Sequence, residues 1–154
     1  MFVGRNENGF VGLGQIQCQL LLLAKRPEDG DLPFYGGCVT YRFGVDCPGG
    51  DIRLTVPHYD GALTEIFVDG VHAGEIIFPP YELELKELSA GRHEIEVKLY
   101  TNRRNAFGTV HLYDKKCHCI GPDAWRTSGC QWSYEYVLRN VGVESAPVIY
   151  SLKK

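Results

Sequence analysis

The sequence predicts an all-β fold, and three observations support that prediction. Short stretches of alternating polar and apolar residues recur roughly every ten residues, which is the period-2 pattern of half-buried strands. The 18 glycines and 8 prolines punctuate these stretches as turn residues. No stretch carries a convincing long helical period. Together these features favour a β-sandwich of about eight or nine strands.

The composition is that of one globular domain. Of the 154 residues, 44% are hydrophobic and 23% are charged, and a chain of this length can bury a sizeable core. Residues 1–30 carry the weakest pattern and are interpreted as an edge strand or a linker, and residues 31–154 as the sandwich domain. No internal repeat, low-complexity tract or shift in composition indicates a second domain.

Charge and hydropathy argue against two classes of partner. A net charge of −3 leaves no basic excess for nucleic acid or an anionic membrane. The longest apolar run, Leu20 to Ala24, is far too short to span a bilayer. The first residues lack both a clearly basic region and a small-residue cleavage site, so we expect no signal peptide. The sequence is therefore expected to be cytoplasmic or a piece of a longer chain.

Turn residues predict several strand boundaries. "VDGVHAG" is typical of a hairpin with Asp69 and Gly70 at its tip. "DCPGGD" is predicted to be a turn, and "LSAGRH" to end one strand and begin another, with Gly91 supplying a positive φ. "HEIEVKLY", "GTVHLY" and "WSYEYVLRNVGV" are predicted to be strands.

The cysteines fit no small secreted disulfide scaffold; they number six, at positions 18, 38, 47, 117, 119 and 130. "CHC" at Cys117 to Cys119 invites a zinc interpretation, but familiar zinc motifs place two or more residues between paired ligands. Reduced, partly buried thiols are the preferred interpretation. No cofactor is expected, and a structural calcium stays open as an alternative because two pairs of turn aspartates offer oxygen ligands: Asp29 with Asp31, and Asp46 with Asp51.

A longer block carries a resemblance to a known family. "TEIFVDGVHAGEIIFPPYELELKELSAGRHEIEVKLYTNRRNAFG" contains a strand ending in V-D-G, a proline-bearing loop and a G-x-H-x-I-x-V strand. This order resembles the galactose-binding-like jelly-roll domains of bacterial glycoside hydrolases of the β-galactosidase clan. "LPFYGG", "GPDAW" and "WSYEYVLRNVGV" extend the resemblance over about Leu32 to Ile149. It implies a jelly-roll sandwich that binds sugar or supports the catalytic domain of a larger bacterial protein.

The chain is expected to be non-catalytic. The resembling hydrolases carry their two catalytic carboxylates on a separate, much larger domain, and no segment of that length is present. The 19 acidic residues are scattered, mostly at outward strand positions. No Ser-His-Asp or Cys-His arrangement can be assembled from sequence order alone.

The stretch "TNRRNAFG" is the most donor-rich segment and allows two interpretations. Arginine forks and asparagine amides suit vicinal hydroxyl pairs, so the segment could contact a sugar. Alternatively, it holds a crossover between sheets, with Asn105 and Gly108 fixing an irregular turn. The second interpretation is preferred, with at most one or two of these residues facing a ligand.

Aromatic side chains are the usual stacking platforms for pyranose rings. Trp125 lies in a turn-rich stretch, and Tyr35 lies beside two glycines that permit close approach. Trp132, Tyr134 and Tyr136 alternate and share a face, which is predicted to pack in the core. His111 follows closely enough to lie near the arginines, as a structural residue or a ligand contact. The candidate carbohydrate-binding residues are therefore Tyr35, Asn102, Arg103, Arg104, His111 and Trp125.

Three functions follow from these features. The leading hypothesis is a carbohydrate-binding or accessory module whose partners are an oligo- or polysaccharide and a catalytic domain. The alternative is a purely structural sandwich that packs on a catalytic domain and binds no sugar. The third, a small jelly-roll enzyme, would need converging histidines and carboxylates, and no H-x-H pair is present.

Overall fold

The computed structural model describes residues 13–16, 33–113, 121–125 and 127–152. The predicted all-β class is confirmed. The described strands are β1 (Leu13–Ile16), β2 (Cys38–Thr55), β3 (Tyr59–Asp60), β4 (Leu63–Val68), β5 (Val71–Ile76), β6 (Glu82–Tyr100), β7 (Gly142–Val143) and β8 (Val148–Leu152). A four-residue helix, α1 (Arg104–Phe107), and a 3-10 turn, Pro122–Trp125, follow β6. Within these ranges, no helix has the length and apolar character that crossing a membrane requires.

The strands form one large sheet and one small one. The large sheet has six strands in the order β1-β8-β2-β6-β4-β5, and its neighbours pair antiparallel. The small sheet pairs β3 with β7. In the large sheet, β2 and β6 are the longest strands, and they pair along most of their 18 and 19 residues.

Strands β2 and β6 bend where turns were predicted. "DCPGGD" and "LSAGRH" do not end strands. Gly49, Gly50 and Gly91 take positive φ within continuous strands, and the register shifts between Gly50 and Ile52. The prediction of separate strands was wrong because the two segments lie opposite each other and bend together. Each supplies the other with hydrogen-bonding partners through the bend.

The core is one apolar cluster to which both halves of the bent strands contribute. In β2 the buried positions switch from odd numbers (Phe43, Val45) to even numbers (Ile52, Leu54) across the register shift. This switch is the expected result of a bulge, which moves the following side chains to the other face. Each fully buried aliphatic side chain contributes roughly 1.5–3 kcal/mol. The other members are Cys47, Val56, Ile66, Ile76, Leu85, Ile95, Val97, Leu99, Val143 and Ile149.

The predicted hairpin tip is confirmed. Val68 pairs with Val71, and the two residues between them, Asp69 and Gly70, have φ of 51° and 78°. Two positive φ values are the requirement of the type I′ turn that Asp-Gly favours. Asp69 also exchanges hydrogen bonds with Glu94: its N–H donates to the Glu94 carbonyl at 2.8 Å, and its Oδ1 accepts the Glu94 N–H at 2.8 Å.

The chain after β6 is more irregular than the sequence predicts. Of "GTVHLY" and "WSYEYVLRNVGV", only the Leu112–Trp132 bridge and β7 form ladder pairs. A few further backbone bonds join the two segments, including Ser133 N–H to the His111 carbonyl at 2.8 Å. The alternating aromatic residues do not cover a sheet face, so the pattern did not produce a strand.

Candidate functional site

The crossover after β6 is built from polar side chains that bond to the protein itself. Thr101 donates twice to the Gly37 carbonyl, from its N–H at 3.1 Å and from its Oγ1 at 2.7 Å. Asn102 Nδ2 donates to Asp60 Oδ1 at 2.5 Å, and its Oδ1 accepts the Arg104 N–H at 3.1 Å. Asn102 is therefore engaged inside the protein and holds the start of α1.

Asn105 ties the crossover to a distant segment. Its side chain is buried, with 3% exposed, and both ends of the amide bond the backbone of Arg139. Nδ2 donates to the Arg139 carbonyl at 2.8 Å, and Oδ1 accepts the Arg139 N–H at 2.9 Å. Gly108 then ends α1 through a 2.7 Å bond from its N–H to the Arg104 carbonyl. These contacts support the structural interpretation of the two asparagines and the glycine.

The segment that Asn105 holds contributes three rings, Trp132, Tyr134 and Tyr136, to an aromatic cluster that Phe34 and His111 complete. The His111 ring stacks on Trp132 at 5.6 Å and lies 4.9 Å from Tyr136. Tyr136 meets Phe34 edge-on at 4.9 Å, and Trp132 meets Tyr134 edge-on at 4.2 Å. The three separations of 4.9 to 5.6 Å are those of favourable ring pairs, and the Trp132–Tyr134 pair is closer than that range.

The predicted core packing of the alternating aromatic residues was wrong. Tyr134 is 89% exposed and Tyr136 is 58% exposed, and Trp132 is only half-buried. The reason is the irregular backbone of this segment: without a continuous ladder, the alternation gives no face for the sandwich to cover.

His111 has a defined tautomer. Its Nδ1 lies 2.9 Å from the Ser133 carbonyl oxygen, which can only accept, so Nδ1 carries the proton. In the neutral ring, Nε2 is then an acceptor for a hydroxyl group. The sequence already made His111 a candidate, and the structure adds that its ring stacks on Trp132.

A cavity of about 180 Å³ lies beside this cluster. Typical ligand pockets measure about 300–1,000 Å³, so this one suits a group the size of a single sugar ring. Its described lining mixes aromatic, amide, hydroxyl and thiol groups. The lining residues are His111, Leu112, Ala124, Ser128, Gly129, Cys130, Gln131 and Trp132.

The residues named from the sequence are divided between this cavity and its surroundings. His111 lines the cavity, and Trp125, 56% exposed, follows the lining residue Ala124. Tyr35 is exposed and donates its hydroxyl to the Cys38 carbonyl at 3.1 Å. Arg103 is also exposed, while Asn102 and Arg104 are half-buried in the crossover.

Sequence reasoning missed Trp132 as a surface group and missed the lining residues Ser128, Cys130 and Gln131. The exposure of Tyr134, its neighbour in the cluster, carried no sequence signal, since the same alternation also describes buried strands.

Asp60 lies beneath the crossover in β3. Burial raises the pKa of its carboxyl group, and the hydrogen bond from Asn102 opposes that shift. The positive charges of Arg104 and Arg139 favour the carboxylate, whereas the Glu144 carboxylate disfavours it. The crossover is thus held partly by a half-buried carboxyl group.

Within the described ranges, no three His, Cys, Asp or Glu side chains are placed to hold a metal ion. Asp29, Asp31, Cys18, Cys117 and Cys119, which the sequence raised as ligands or thiols, lie outside those ranges. The described cysteines are free thiols: Cys38 is half-buried, Cys47 buried and Cys130 exposed.

These features define an all-β scaffold with an irregular, aromatic-rich end. No family model and no curated protein matches the sequence. Among solved structures, the chain is similar to a rhamnosidase from Novosphingobium sp. PP1Y, with a TM-score of 0.62 and 15% identity over 97% of this chain. It spans 16% of the length of that rhamnosidase. This likeness shows that the chain has the fold of one part of a much larger protein.

Two further solved structures show weaker likeness. A GH2 β-galacturonidase from Eisenbergiella tayi has a TM-score of 0.48 and 21% identity, covering 80% of this chain and 18% of its own. A β-D-glucuronidase from Dictyoglomus thermophilum has a TM-score of 0.47 and 14% identity, covering 90% of this chain and 26% of its own.

Proposed function

We propose that this chain is a non-catalytic carbohydrate-binding module of the galactose-binding-like jelly-roll type, and that it works as an accessory part of a larger glycoside-hydrolase-like protein. The observation that carries the proposal is the exposed aromatic cluster beside a cavity of about 180 Å³. The fold likeness to a small part of a rhamnosidase supports the accessory role.

Binding is non-covalent in this proposal. The C–H face of one sugar ring stacks on Trp132 or on the exposed Tyr134. Gln131 and Ser128 offer amide and hydroxyl groups to the sugar hydroxyls, and His111 Nε2 accepts a further hydroxyl proton. A single ring of this kind gives weak affinity, because few groups are buried and each hydrogen bond replaces one to water.

The residues predicted from the sequence have different roles in this site. His111 contacts the ring, and Trp125 is a second platform at the cavity edge. Tyr35 and Arg103 are outer contacts for a longer oligosaccharide, because the loop before β2 reaches the cluster through Phe34 and Tyr136. Asn102 and Arg104 shape the crossover and do not contact sugar.

The proposal is tested with a glycan array and affinity gels on the purified chain, with and without calcium. Trp132→Ala and Trp125→Ala are the test variants, and Phe78→Ala is the matched control. Phe78 is 78% exposed and lies between β5 and β6, outside the cavity lining. Retention that is lost in the tryptophan variants and kept in Phe78→Ala supports the site. Retention that is unchanged in all three variants would mean that sugar binds elsewhere on the chain.

The second candidate is a structural sandwich that packs on a catalytic domain without binding sugar. The exposed apolar side chains favour it, above all Phe78 and Phe107. No retention on any glycan, combined with a catalytic partner that protects these side chains from solvent, would select this function over the first.

A further inference from the structure

Two side chains of β6, Ser89 and His93, meet Asp69 at the β4–β5 hairpin tip. His93 Nδ1 lies 2.6 Å from Asp69 Oδ2, and His93 Nε2 lies 3.2 Å from Ser89 Oγ. The second oxygen of Asp69 accepts the Glu94 N–H at 2.8 Å, which fixes the carboxylate. His93 is buried, while Asp69 and Ser89 are exposed. Sequence order gave no sign of this arrangement.

The contacts match a Ser-His-Asp order, but the shorter of the two Nε2 contacts suits a proton donor and not a general base. His93 Nε2 lies closer to the Ser89 carbonyl oxygen, at 3.0 Å, than to Ser89 Oγ. A carbonyl oxygen only accepts, so Nε2 must carry a proton to bond it. Nδ1 faces a carboxylate and also carries a proton. Both ring nitrogens are donors, which describes an imidazolium that has no lone pair to activate a serine.

We propose that protonated His93 is a pH-sensitive latch that closes the β4–β5 hairpin tip onto the bend of β6. One proton donor of the ring holds Asp69 of the hairpin, and the other holds the Ser89 carbonyl beside Gly91, where β6 bends. The bond to Asp69 spans 24 residues and joins the hairpin to β6, whereas the bond to Ser89 spans four residues within β6.

Loss of the proton breaks one of the two bonds. The neutral ring keeps its Nδ1 proton for Asp69, and its Nε2 lone pair then faces the Ser89 carbonyl oxygen, so two acceptors oppose each other. The ring must turn, or its Nε2 must accept a hydrogen bond from the Ser89 hydroxyl group instead. Either change loosens the side of an open groove of about 500 Å³ that Asp69 and His93 line.

The surrounding charges favour the protonated state. The Asp69 carboxylate raises the pKa of His93 above its ordinary value, with a further contribution from the Ser89 carbonyl, and His93 in turn lowers the pKa of Asp69. The buried Cys47 thiol on β2 stays neutral, because burial and the charges of Asp46 and Asp69 raise its pKa. The other ionisable groups that line the groove are His72, Glu84, Lys86 and Glu87.

The test follows the His93 ring by NMR and the Glu94 amide by hydrogen exchange, both from pH 5 to pH 9. We expect His93 to titrate above about 6.5, the ordinary histidine value. Across that titration, protection of the Glu94 amide should fall by about tenfold or more, after correction for the intrinsic pH dependence of exchange. The Val97 amide, further along β6 in the core, is the control and should stay protected.

Two variants separate the latch from other causes. Asp69→Asn keeps the turn and the acceptor for Glu94, because asparagine tolerates positive φ, but it removes the charge and should lower the His93 pKa. Ser89→Ala keeps the backbone carbonyl and should leave that pKa as high as before. A His93 pKa at or below about 6.5 in the wild type, or Glu94 protection that ignores the titration, would overturn the proposal.

Discussion

Replacing Asn105 by alanine is the most informative perturbation of the crossover. The substitution removes two hydrogen bonds, of 2.8 and 2.9 Å, that link α1 to the backbone of Arg139. Asn105 is buried, so water does not replace its amide freely. A buried hydrogen bond contributes about 1 kcal/mol net, and stranding a buried partner costs about 1–3 kcal/mol. We expect Asn105→Ala to lower the free energy of unfolding by about 3 kcal/mol.

The assay is equilibrium denaturation by urea, with thermal unfolding as a second measure. For a domain of this size, a loss of 3 kcal/mol corresponds to a fall in Tm of roughly 6–12 °C. Asn140→Ala is the matched control, because this asparagine lies one residue after Arg139 and is exposed. It should change stability by less than about 0.5 kcal/mol. Equal effects of the two variants would refute the link.

Asn105→Asp gives a sharper version of the same test. The carboxylate can still accept the Arg139 N–H, but at neutral pH it opposes the Arg139 carbonyl with a second acceptor. Below the pKa of the new carboxyl group, a protonated oxygen can donate to that carbonyl again. We expect the loss of unfolding free energy relative to wild type to become smaller as the pH falls. A deficit that does not depend on pH would show that the carbonyl contact carries no energy.

The remaining predictions concern single positions. Gly108→Ala should lower the free energy of unfolding by about 1–3 kcal/mol, because a Cβ there would meet the Arg104 carbonyl oxygen. Gly70→Ala, with open space around it, should lose only the roughly 1–2 kcal/mol of its positive φ. A urea midpoint for Gly108→Ala equal to that of wild type would contradict this reasoning. Asp60→Asn should stabilise the fold above the ordinary carboxyl pKa. Burial raises the pKa of Asp60, so the folded state binds its proton more tightly than the unfolded state does, and the stability of the wild type falls as the pH rises from the ordinary carboxyl pKa to the raised one. Unfolding measured from pH 3 to 7 should show the stability advantage of Asp60→Asn growing with pH. A difference that stays constant over this range would contradict the prediction. Tyr134→Ala should change stability by less than about 0.5 kcal/mol, because this side chain is 89% exposed; a large loss by the same measurement would mean that its edge-on contact with Trp132 contributes more than this exposure indicates.

The sequence predicted what local periodicity and turn chemistry control. The alternation of "HEIEVKLY" became the buried half of β6, and Asp69-Gly70 formed its two-residue turn. Both follow from a few neighbouring residues, whose effect survives in many tertiary contexts. The all-β class followed from the repetition of such signals.

What the sequence did not predict depended on which segments lie opposite each other. The glycines of "DCPGGD" permit a turn or a bend, and the pairing of β2 with β6 decided for the bend. Tyr134 and Tyr136 alternate like strand residues, yet no sheet face covers them. The meeting of Ser89, Asp69 and His93 likewise depends on the register of β6 beside the hairpin. None of these outcomes is encoded within one window of sequence.

The candidate site therefore depends on a long-range contact as well as on its own aromatic side chains. Asn105 fixes the backbone at Arg139, and the segment before it carries Trp132 and Tyr136. If the cluster binds sugar, Trp132→Ala should abolish retention, and it should also lower the unfolding free energy somewhat, because the ring is partly buried and contacts His111 and Tyr134. Asn105→Ala should weaken both, because it releases the segment that aligns the rings. If Asn105→Ala instead lost binding while keeping full stability, the Asn105 amide would belong to the binding site itself.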